Sequence, residues 1–349
     1  MLTTVMTKVN PEMIVLARES RGLSQRDLAD RLGISPALLC QLEQSNRSLT
    51  DDMIEKLEKE LNYPHGFFAQ EGEAYLTSTI NFRKRVSVPK NIIASIEANI
   101  QVYRLNIEML LQKVKVTKPE IPHFDLEKLG SVQEAAIKLR KQWKIPAGAI
   151  NNITTLLESF GIITVAFDFG TERVDSRIVL THSGYPIIVY NKSLLGDRQR
   201  FTLAYELGHL VLHSSLSDFG DRDIDHEANL FAAEFLMPAN DIRPDFKDGL
   251  TIQKLADLKK KWKVSMQALL YRAHDLEDIS YNQRTYLLQQ FNQMKIRRRE
   301  PPELDVKIEQ PKLLRDMLTK YRNALKITVN ELADIFHMTE KEFMIRYTM

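Results

Sequence analysis

The chain has 349 residues, enough for two or three domains at roughly 150 residues each. Hydrophobic residues make up 44% and charged residues 27%, a globular balance that excludes wholesale disorder. Forty-eight Lys and Arg against 46 Asp and Glu leave a formal charge of +2, so any nucleic-acid surface must be local. The one cysteine, Cys40, excludes an internal disulfide and a multi-thiolate zinc site, and a reducing compartment is the expectation. Met1 to Asn10 lacks the pattern of a signal peptide, and no apolar run approaches about 18 residues. The expectation is a soluble, cytoplasmic protein with no membrane partner.

The expected fold class is mainly α with a small β-sheet (α+β), in four regions. Residues 1–71 read as five short helices with tight turns at Arg21-Gly22 and Leu32-Gly33. Residues 72–119 read as a linker that opens on basic Arg83-Lys84-Arg85 and continues as an amphipathic helix from Pro89 to about Val114. Residues 120–278 mix strand and helix. Strand candidates are Ile162 to Phe167, Arg177 to Leu180 and Pro186 to Tyr190, and long helices are expected over Arg200 to His213 and Asp225 to Leu236. Residues 279–349 read as helical, with a break at Glu300-Pro301-Pro302. A pattern of Leu-Ala-Asp followed by a hydroxyl residue recurs at Leu28 to Ser35, Leu255 to Ser265 and Leu332 to Thr339, and predicts three helical hairpins.

The first hairpin has the parts of a helix-turn-helix. Ser24 is a candidate N-cap, Ala29 is small enough for two helices to cross closely, and Gly33 permits a left-handed turn. Ser35 can cap the second helix, with Pro36 at its first position. Over about residues 11 to 68 the pattern resembles the XRE (lambda-repressor-like) DNA-binding family. The resemblance implies a homodimer on a double-stranded DNA operator, with the helix after Ser35 in the major groove. The matching contact candidates are Gln25, Ser35, Ala37, Leu38 and Gln41, with Arg26, Asn46 and Arg47 near phosphates. Gln41 is the one good amide for adenine, because Ala37 and Leu38 offer apolar contacts only. Residues 1–70 carry eight basic and ten acidic side chains, and five of the acids lie on the helix after the motif. A use of this module in protein contact therefore stands beside DNA binding.

The stretch from Arg200 to His213 carries the most chemistry. On a helix, positions 205 and 209 are one turn apart on one face, with Glu206 beside it. Two histidines there, the first followed by a glutamate, would make a zinc site with a general base. Here the first position is Tyr205. With the later Asp225-His226-Glu227-Ala228-Asn229 and Met237-Pro238, the pattern resembles the ImmA/IrrE metallopeptidase family over about residues 120 to 280. The resemblance implies zinc, with Glu206 as general base, His209 as the second histidine and Glu227 as the third ligand, while Tyr205 stands where the first histidine belongs. A phenol of pKa about 10 must lose a proton before it binds zinc, so the expectation is a weakened or absent metal. His213 and His226 read as polar residues at a helix end and rim, and Lys259 to Lys263 and Arg297 to Arg299 as solvated faces.

Three functions follow from this reading. The first is a DNA-binding regulator whose degenerate ImmA/IrrE-like domain senses a ligand, metal or partner, in a toxin–antitoxin, phage or stress-response setting. The second is a zinc-dependent endopeptidase that cleaves a partner repressor. The third is a pseudo-peptidase that binds a partner protein or peptide within a toxin–antitoxin pair.

Overall fold

The computed structural model describes residues 6–44, 48–75, 88–214 and 220–347. The chain opens on β1 (Met6–Lys8), α1 (Pro11–Ser20), α2 (Gln25–Leu32), α3 (Pro36–Gln44), β2 (Ser48–Thr50), α4 (Asp51–Leu61) and α5 (His65–Phe68). β1 and β2 pair antiparallel beside the five expected helices. Ser24 caps α2 in a reciprocal bond with Asp27, and Gly33 ends that helix at φ 67°, a conformation that glycine reaches without strain. The Ser35 hydroxyl accepts from the Leu38 amide at 3.2 Å and starts α3.

Next come α6 (Lys90–Leu111), α7 (Leu126–Leu129), α8 (Val132–Gln142) and α9 (Ile153–Ser159). The three strand candidates form β3 (Ile163–Phe167), β4 (Ser176–Leu180) and β5 (Pro186–Asn191). The central strand is β5, parallel to β3 and antiparallel to β4. It is buried along its whole length, which explains why it reads as a continuous apolar run rather than an alternation. The chain continues through α10 (Gly196–Leu212), α11 (Ile224–Leu236), α12 (Ala239–Phe246), α13 (Ile252–Trp262), α14 (Met266–Asp275) and α15 (Tyr281–Gln293). It ends on α16 (Leu313–Leu325), α17 (Val329–Ile335) and α18 (Glu340–Tyr347).

The sheet divides two cores. Ile188 and Tyr190 face one side, where they join α8 to α15. Ile187 and Val189 face the other, where they join α1 to α6 and α16 to α18. Alternation along β5 thus ties the peptidase-like helices to the helix-turn-helix through one shared wall. Arg21 at the end of α1 makes a bidentate bond to Glu342 of α18, at 2.9 and 2.6 Å.

All three predicted hairpins form, as α2–α3, α13–α14 and α17–α18. Ser35, Ser265 and Thr339 each cap the second helix of their pair. The basic run at 259–263 differs from its expectation. Lys259 is 1% exposed and its ammonium lies between Asp197 and Glu300, so this lysine is a buried tie rather than part of a solvated face.

Candidate functional site

The helix-turn-helix presents one polar and apolar face. Ser35, Ala37, Leu38 and Gln41 are exposed along the start of α3, and Leu38 keeps 41% of its surface. Arg26 is also exposed. Gln25 is exposed as well, but its amide donates to Glu43 at 2.6 Å. Glu43 in turn accepts from Arg18 at 2.6 Å, so a buried ion pair holds α1 to α3 and Gln25 closes its outer side. Gln25 therefore ties the start of α2 to the end of α3. Asn46 and Arg47 lie outside the described residues, as do Arg83, Lys84 and Arg85.

The second site lies between α10 and α11. These helices approach closely because Gly208 faces Phe231 and Ala228, where a Cβ would stand 3.1 to 3.3 Å from its neighbours. Tyr205 and His209 are both fully buried and their rings meet edge to face, with centroids 4.6 Å apart. Glu206 is fully buried beside them and accepts a short hydrogen bond from Ser176, the first residue of β4. The expected neighbours Tyr205, Glu206 and His209 thus sit together on α10.

The acid that meets them is Asp225. Tyr205 Oη donates to Asp225 Oδ1 at 2.5 Å, and His209 Nε2 lies 3.9 Å from the same oxygen. Glu227, carried over from the resemblance as third ligand, is drawn elsewhere. It accepts from Arg222 at 2.6 and 3.0 Å and meets His213 Nε2 at 2.8 Å. Asp225 shares a stripe of α11 with Ala228 and Ala232, whereas Glu227 is turned about 200° from Asp225 around the helix. The sequence held both acids two residues apart, and only the phase of α11 against α10 decides between them.

His213 also differs from its expectation as a polar rim residue. It is 1% exposed and links His209 to Glu227, with His209 Nδ1 and His213 Nδ1 at 2.8 Å. Burial pushes the His213 pKa down against the pull of Glu227, so the ring is neutral near pH 7. Burial would raise the Glu227 pKa, but hydrogen bonds from Arg222 and His213 hold it below the ordinary carboxylate value. A carboxylate accepts only, so His213 carries its proton on Nε2 and its Nδ1 accepts from His209 Nδ1–H. His209 Nε2 faces the Tyr205–Asp225 side. His226 is exposed, in line with its expectation.

The donor set does not fit the zinc that the resemblance implies. Among the described residues, the His209 imidazole meets the Tyr205 phenol and the Asp225 carboxylate, and the last two are bonded to each other. Two ligands of a tetrahedral zinc stand roughly 3.3 Å apart, given bonds of about 2 Å, whereas the phenol and carboxylate oxygens are a hydrogen bond apart. Among the described residues, no three of His, Cys, Asp and Glu converge on a metal position.

Comparison with known proteins agrees with both halves of this description. Residues 14–68 match the helix-turn-helix family, and residues 157–274 match the IrrE N-terminal-like domain. Over 97 residues the chain is 36% identical to the radiation response metalloprotease IrrE of Deinococcus radiodurans. That stretch covers 24% of this chain and 30% of that protein, so the chain spans less than a third of the relative's length. The chain thus carries a region similar to the helix-turn-helix family, followed by one similar to the IrrE N-terminal-like domain. Among the described residues no helix is long and apolar enough to cross a membrane.

Proposed function

We propose, from a chain that joins a helix-turn-helix to an IrrE-like domain, that this protein is a DNA-binding regulator with a sensing domain that does not cleave peptide bonds. The observation that carries the reading is the Tyr205–Asp225 bond at the place where the peptidase family would hold its metal. On this reading α3 reads an operator and a homodimer binds its two half-sites. The IrrE-like domain responds to a small molecule or partner and acts on the helix-turn-helix through the shared sheet. The setting is a phage, stress-response or toxin–antitoxin operon under its own control.

The test is selection of duplexes from a random pool, followed by anisotropy titration at several salt concentrations. The expected result is one enriched sequence whose affinity falls steeply with salt. Gln41→Ala should cost about 1–3 kcal/mol on that sequence, roughly 5- to 150-fold, and less on unrelated DNA. A pool that enriches nothing overturns the reading.

The zinc-endopeptidase reading draws on Glu206 and on the His213–Glu227 pair that orients the His209 ring. It requires stoichiometric zinc and Glu206-dependent cleavage of a co-encoded protein.

A further inference from the structure

A pocket of about 440 Å³ opens where the helix-turn-helix domain meets the rest of the chain. Its walls come from the end of α1, from Asn62 after α4, from α6, from the turn after β3, and from α18. Ligand sites typically have volumes of roughly 300–1,000 Å³ and favour such joints between domains. We propose that this pocket binds a small organic anion, one carboxylate on a flat apolar body.

Glu342 sets the charge balance of the pocket. This one carboxylate serves two guanidiniums, Arg21 at 2.6 Å and Arg346 at 2.8 Å, so the pair keeps one positive charge in excess. Lys341 adds an exposed ammonium to the lining. Asp168, the other acid of the lining, is engaged by Lys192 at 3.3 Å and by the Gly170 amide at 2.9 Å. The Arg346 side chain is 4% exposed and spends Nε on Glu342 and Nη2 on Asn99, at 2.8 and 2.6 Å. Its Nη1 has no acceptor among the described residues. A buried donor without an acceptor is costly, and a ligand carboxylate beside this guanidinium offsets the positive charge it carries. The Arg346 guanidinium also lies 5.8 Å from the Phe167 ring centre, so the charged wall adjoins an aromatic one. Ile96 and Phe169 extend that apolar wall.

Because Arg21 and Asn62 belong to the helix-turn-helix domain and Arg346 to α18, an occupant touches both sides of the joint. It would therefore favour one placement of α3 over others.

The experiment is calorimetric titration of the full chain with benzoate, with acetate and inorganic phosphate as comparators. Benzoate is expected to bind saturably, one per chain, and more tightly than either comparator. Ser95→Phe fills the pocket from α6, where the Ser95 hydroxyl's one bond among the described residues is at 3.5 Å to the Ser20 carbonyl, and should abolish the binding while the unfolding temperature holds. Lys341→Glu, at an exposed rim position, should weaken it by about tenfold. No saturable heat with any of the three anions at millimolar concentration overturns the proposal. So does benzoate binding that both variants leave intact. Phosphate or acetate binding as tightly as benzoate overturns the flat apolar body. None of these readouts involves DNA, so a failure here is separate from a failure of the regulator reading.

Discussion

Tyr205 Oη and Asp225 Oδ1 stand 2.5 Å apart, joined by a hydrogen bond between α10 and α11. The phenol keeps its proton to make that bond, and the carboxylate is taken by it. His209 lies beside them, with its Nε2 3.9 Å from the same Asp225 oxygen. The close Gly208 crossing and the buried Glu206 flank that bond between the two helices.

The neighbouring His213 is expected to act on His209 through position alone. In a Tyr205→His background, His213→Ala should lower zinc affinity by about 10- to 100-fold, the usual effect of losing the group that orients a ligand. Competition with a chromogenic chelator measures it. Equal affinity with and without His213 would mean that the His209 tautomer needs no help from Glu227.

The segment after α15 straps the N-terminus of α10. Glu309 accepts from buried Arg200 and from the Thr154 amide, and its backbone exchanges bonds with Gln199 at 2.6 and 2.9 Å. Glu309→Ala leaves Arg200 buried without its partner and should cost about 3–5 kcal/mol in urea unfolding. Gly196→Ala should cost about 1–3 kcal/mol, because a Cβ there collides with the Val306 carbonyl. The two changes strike one strap, so their sum should exceed the cost of the double variant. Strict additivity would show that the strap is not a unit.

Acid should loosen the joint between α1 and α18. Burial alone would raise the Glu342 pKa, but the Arg21 hydrogen bond and the charges of Arg346 and Arg21 hold it below its ordinary 4.5. A carboxylate whose pKa is depressed on folding stabilises the protein fully above its unfolded value. That contribution is lost as pH falls through the folded value. Stability should therefore decline below about pH 4.5, and Glu342→Gln should show a shallower decline over the same window. Parallel curves for the two proteins would remove Glu342 from the account.

The sequence disclosed features that depend on near neighbours. Ser24, Gly33 and Ser35 act within their own hairpin, so the helix-turn-helix was readable from spacing, and so were the three short strands with their Ile and Val runs. Tyr205 and His209 were readable because one helix carries both. Contacts between distant segments were not. Lys259 is buried because Asp197 and Glu300 come to it from 62 and 41 residues away. His213 became a link only when α11 brought Glu227 against it. The choice of Asp225 over Glu227 rests on a helix phase that both acids satisfy equally in one dimension. Ser176 reaches Glu206 across 30 residues, from a strand whose pattern speaks of packing alone.

The most direct test is the zinc content of purified, tag-free protein by elemental mass spectrometry, for the unaltered chain, Tyr205→Phe and Tyr205→His. No bound zinc is expected in the first two and about one per chain in Tyr205→His, where a second imidazole frees Asp225 to join His209. About one tightly held zinc per chain in the unaltered protein would contradict that expectation and return the chain to the zinc peptidases.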